Sequence, residues 1–119
     1  MATRIALSEL LTAIDAQDAG KFASYLTEDV VFRYGSNPPV HGRQAVHDYV
    51  AAFFGNLDAL RHRLLGEWES GNAVICEGEV TYTLPGGKAA TLPFVNVLGM
   101  QNGKIKDYKI YIDPTPLAG

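Results

Sequence analysis

TEDVVFRYGSNPPVHGR, residues 27–43, changes its periodicity within one short stretch, and the change decides the fold. Val30, Phe32 and Tyr34 alternate with Val31 and Arg33, so the first three share one face of a strand. Gly35, Ser36 and Asn37 followed by Pro38 and Pro39 turn that strand into a loop, and Gly42 closes it. From Arg43 the period becomes that of a helix, with Val46, Tyr49, Val50 and Phe53 on one stripe and Gly55-Asn56 as its stop.

On the N-terminal side, Leu7, Leu10, Leu11 and Ile14 form one helical stripe over residues 3–16. Asp18 then caps a second, shorter helix that turns Phe22, Tyr25 and Leu26 to the same interior. On the C-terminal side lie four strand candidates, 60–69, 73–83, 88–100 and 104–113. Short Gly-, Asn- and Pro-bearing turns join them, so neighbours must run antiparallel. Strands this long curl as they twist. The pattern predicts an α+β domain in which three N-terminal helices pack on a strongly curved, mostly antiparallel sheet and leave a cone between the layers.

Alternation predicts which residues face that cone. In 73–83 Val74, Cys76, Gly78, Val80 and Tyr82 share one face, while Glu77 and Glu79 belong to the solvated one. In 88–100 Leu92, Phe94, Asn96 and Leu98 oppose Pro93, Val95 and Val97. Both faces of this strand are apolar, so the outer one needs a cover, and a homodimer through the outer face of the sheet is expected.

The 119 residues are read as one domain, 1–119. Ten basic against thirteen acidic residues, with no basic run, leave no surface to neutralise phosphates, so no nucleic acid is expected as partner. The N-terminal stretch MATRIALSELLTAI has no apolar run of signal or membrane length, which predicts a cytoplasmic protein with no membrane partner. Cys76 is the single cysteine and has no ligand-spaced Cys or His beside it, so neither a disulfide nor a metal site follows.

Helix–helix–strand, then PPVHGRQAV opening a third helix, then a meander ending GKIKDYKIYIDPTPL, resembles the nuclear transport factor 2-like superfamily and within it the SnoaL-like group. The resemblance spans nearly the whole chain and implies a cone-shaped, cystatin-like α+β barrel. Ketosteroid isomerase, limonene epoxide hydrolase and polyketide cyclases are the relatives it implies. Their functional positions carry over poorly. The isomerase base falls on Tyr34, and its oxyanion-hole donors fall on Leu10 and Asn96. The last Asp of the hydrolase's Asp–Arg–Asp unit falls on Ile110, and its other two members fall within residues 77–80. The acid and histidine of a polyketide cyclase would be Asp113 and His62.

His62 shares the inward face of its strand with Leu60 and Leu64, where it is either a general base or a group that caps a neighbour. If there is catalysis, His62 is its proton shuttle, and Asn96 with Tyr34 polarises an oxygen. Phe32, Tyr49, Phe53, Val80, Tyr82, Phe94, Leu98, Tyr108 and Ile110 are the expected binding surface, with Trp68 as a wall or lid. Asp113 is read as a turn cap, and no ionised acid is expected at the bottom of the cone. The expected function is binding, without cofactor, of a small, mostly apolar molecule, cyclic or terpenoid- or polyketide-like, with one or two carbonyl or hydroxyl groups. Isomerase, cyclase or hydrolase chemistry and binding alone both stay open. A hollow of several hundred cubic ångströms would suit such a ligand, whereas a cone plugged by Trp68, Phe94 and Tyr108 would suit a protein-interaction adaptor.

Overall fold

A computed structural model describes residues 7–118. Helices α1 (Leu7–Asp15) and α2 (Ala19–Ala23) precede strands β1 (Leu26–Tyr34) and β2 (Val40–His41) and helix α3 (Arg43–Gly55). The meander β3 (Ala59–Ser70), β4 (Ala73–Thr83), β5 (Ala89–Gln101) and β6 (Lys104–Ile112) follows, then a short α4 (Thr115–Ala118). The first residues of the helix expected from Thr3 lie outside the described part. The side chain of Asp18 accepts from the Lys21 N–H, which is the cap expected for α2.

The six strands form one sheet in the order β2-β1-β6-β5-β4-β3. All pairs are antiparallel except β1 with β6, which run parallel because helix α3 and the meander lie between them in the chain. The fold is α+β, with the three expected N-terminal helices α1, α2 and α3 beside a mostly antiparallel sheet. One expectation needs correction: the sheet is open, with β2 and β3 at its edges, and does not close into a barrel. The segment after Asp113 adds a short fourth helix among the described residues. The core lies on the concave side, where Leu10, Leu11, Ile14, Phe22, Val46, Val50 and Phe54 of the helices meet Val74, Val80, Leu92, Leu98 and Tyr108 of the sheet.

One irregularity positions the site. Leu64 pairs with Gly78 but Gly66 pairs with Glu77, so Leu65 is an extra residue in β3. The bulge reverses the facing of everything after it. Leu60, His62 and Leu64 keep the inward face, while Trp68 pairs with outward Ile75. Gly78 makes the close approach possible, since a Cβ there would lie 2.1 Å from the Arg63 carbonyl oxygen.

Candidate active site

The concave side retains a cavity lined by aromatic side chains from β1, α3, β4, β5 and β6. Phe32 packs 5.3 Å from Tyr108 and 5.8 Å from Tyr49. Phe53 lies 5.5 Å from Tyr34 and meets Tyr82 edge-on at 5.7 Å. These rings fill most of the cone, and the space open to the centre of a water-sized sphere is about 50 Å³. A water needs about 10–15 Å³ of such space, so a molecule of only a few heavy atoms enters without side-chain movement. The several hundred cubic ångströms expected of a ligand pocket are not there.

His62, Asn96 and Tyr34 all line this cavity, as do Phe32, Tyr49, Phe53, Val80, Tyr82, Phe94, Tyr108 and Ile110. Two residues expected there do not. Trp68 is 52 % exposed on the convex side because the β3 bulge turned it outward. Leu98 is fully buried in the core, paired with Tyr108 and Val74, and is not among the lining residues.

The residue that sequence reasoning missed stands behind His62. Asp15, the last residue of α1, accepts the His62 backbone N–H at 3.0 Å with Oδ2, and its Oδ1 lies 2.6 Å from His62 Nδ1. A carboxylate acceptor holds the proton on Nδ1 and leaves Nε2 with its lone pair for the cavity. The Phe94 ring meets the imidazole edge-on at 5.3 Å and fixes its plane. An acid at a helix C-terminus opposes the helix dipole. That misfit, with Ile14 of the apolar stripe beside it, was the available signal.

The acid therefore sits behind the histidine and not in the cavity wall. Asp113 is fully exposed; its Oδ1 accepts from the Thr115 N–H at 3.0 Å and the Thr115 hydroxyl at 2.5 Å, starting α4. Those bonds hold its carboxyl below the usual carboxylate range.

At the other polar point Asn96 is 3 % exposed and its Oδ1 has no hydrogen-bond partner. It stands directly across the strand pair from Cys76. Burial pushes the Cys76 thiol up to about 11, against the Asn96 amides, which draw it downward. The Tyr34 and Tyr82 hydroxyls are 3.2 Å apart and share one hydrogen bond, so one phenolic proton stays available to a guest. Burial raises both phenols above their ordinary value, and Tyr108 likewise, so all three are neutral at pH 7. Among the described residues no cluster of His, Cys, Asp and Glu could hold a metal ion, and no helix is long and apolar enough to cross a membrane.

Comparison with known proteins places the chain. The family model of the SnoaL-like domain matches residues 7–108. The chain belongs to the SnoaL-like domain family. Among solved structures it is similar to an NTF2-like protein of unknown function from Burkholderia pseudomallei, at 21 % identity and a TM-score of 0.84 over 93 % of this SnoaL-like chain and 90 % of the other. TerC, co-crystallised with polyporic acid, is 21 % identical with a TM-score of 0.80, covering 94 % and 92 % of the two chains. A protein of ketosteroid isomerase-like fold from Catenulispora acidiphila, in complex with trimethylamine, is 12 % identical with a TM-score of 0.80, covering 88 % and 82 %. At these identities the likeness concerns the fold of the SnoaL-like domain.

Proposed function

We propose that this SnoaL-like protein is a cofactor-independent proton-transfer catalyst acting on a small, largely apolar molecule. His62 is its general base, Asp15 the group that orients it, and Tyr34 with Tyr82 the source of one hydrogen bond to the reacting oxygen. The observation that carries the reading is the 2.6 Å contact between Asp15 and His62 Nδ1, with the ring in the wall of an apolar cavity. A histidine that merely packed would not need a carboxylate holding both its ring and its backbone. The base removes a proton from carbon or from a hydroxyl, and the phenolic proton stabilises charge on the adjacent oxygen. Isomerisation and cyclisation both use such a step. Two proteins of the same fold were crystallised with small molecules, polyporic acid and trimethylamine, which supports an internal ligand here as well.

The test uses acetoin, whose carbinol proton is acidic and whose size is close to the free space. In deuterium oxide the wild type is expected to catalyse deuterium incorporation above the buffer rate, read by proton NMR, and His62→Ala is expected to abolish it. Equal exchange by wild type and His62→Ala would remove His62 from the chemistry; no exchange by either would favour binding alone.

The protein is further proposed to pair with a second copy through the convex face, where Leu65, Trp68 and Tyr111 are each more than half exposed. Sedimentation at micromolar concentration is expected to give a dimer, and a monomer there would defeat the idea.

A further inference from the structure

Which molecule suits the cavity follows from its hydrogen-bond inventory, given the reading of His62 as base. Most buried polar groups are paired, because one left unpaired has lost its hydration with nothing in return. Asn96 Oδ1 is such a group: a carbonyl oxygen in an aromatic wall with no partner in the protein. Asn96 stands across the strand pair from Cys76 and lines the cavity, so a guest there is the partner within reach of this oxygen. His62 Nε2 is also an acceptor, since Nδ1 carries the proton shared with Asp15. The Tyr34–Tyr82 pair adds one phenolic hydrogen to the same lining. The two acceptors also stand apart. In the sheet register His62 pairs with Val80 and through it with Leu92, four residues along β5 from Asn96.

We infer that the ligand is a small alcohol or amine whose O–H or N–H donates to Asn96 Oδ1, at the end of the molecule remote from His62. A ketone or ether of the same shape brings only acceptors and leaves Oδ1 unpaired. Asn96 is thus a specificity-determining residue that selects for a donor, the reverse of the carbonyl-polarising task expected from sequence.

The experiment compares 2-butanol with 2-butanone, matched in shape and small enough for the cavity, by NMR titration of the purified protein. Wild type is expected to bind the alcohol about tenfold more tightly, the worth of one hydrogen bond to a group otherwise unpaired. Asn96→Leu is expected to lower that preference to within twofold and to raise the thermal midpoint, because an unpaired polar atom has been replaced by an apolar one. His62→Ala is expected to keep the preference while losing acetoin exchange, which separates donor selection from catalysis. Wild-type preference for the ketone, an unchanged preference in Asn96→Leu, or no binding of either molecule at tens of millimolar would each overturn the inference. The wild-type comparison stands even if the leucine variant does not fold.

Discussion

The cavity has two polar points, and each is backed by a second residue of different chemistry. His62 is backed by Asp15, a carboxylate that remains partly open to solvent and takes a proton-bearing nitrogen. Asn96 is backed by Cys76, a fully buried thiol directly across the strand pair that burial keeps neutral. The first arrangement pairs a ring nitrogen with a carboxylate and leaves the other nitrogen toward the cavity wall. The second leaves a fixed dipole that cannot change its protonation. On the proposed function the anion behind a ring makes the reactive point, and the thiol behind an amide the recognition point.

Breaking the first pair has the largest expected effect. Asp15→Asn offers His62 an amide in place of the carboxylate, so the imidazolium loses its counter-charge and the ring its imposed tautomer. Acetoin exchange is expected to fall by about a hundredfold or more, while binding of 2-butanol changes little. Nitrogen-15 NMR of the imidazole supplies a second readout, with the proton leaving Nδ1 in the variant. An unchanged tautomer together with an unchanged rate would show that Asp15 only braces the strand.

Next in size is the geometry that carries the first pair. Gly78→Ala drives a methyl group against the Arg63 carbonyl at the β3 bulge and is expected to cost about 1–3 kcal/mol of stability. It should disturb His62 before it disturbs Asn96, because the Arg63 carbonyl adjoins His62 on β3. Amide shift changes of equal size at both points would count against this.

The smallest effect concerns the second pair. Cys76 carries a folded-state value of about 11 against an ordinary 9.0. Its contribution to stability is therefore intact below pH 9 and is lost as the pH rises towards 11. Urea midpoints are expected to decline over that window, less steeply in Cys76→Ala, with Tyr82 and Tyr108 continuing the decline at higher pH. Identical slopes in both proteins would mean that the thiol titrates freely.

Much of this was legible from the chain. Alternation over β4 and β5 assigned Val80, Tyr82, Phe94 and Asn96 to the inner face, because an unbroken period of two leaves no choice of side. The same reasoning misassigned Trp68, since Leu60, His62, Leu64, Gly66 and Trp68 read as one regular series and the extra residue Leu65 carries no mark of its own. Glycine at position 78 was the indirect sign, a gap in a strand where another backbone comes close. The two-residue β2 and the one-turn α4 were too short for any period to show. Asp15 escaped for another reason: its partner is 47 residues away, and only the docking of α1 on β3 brings them together.

The outward turn of Trp68 gives the molecule a built-in indicator. It is the single tryptophan of the chain, and its indole lies over Gly66 on the far side of the sheet from the cavity. Its fluorescence therefore reports on the convex surface rather than on the cavity, and a blue shift on raising the concentration would mark the proposed pairing of two copies.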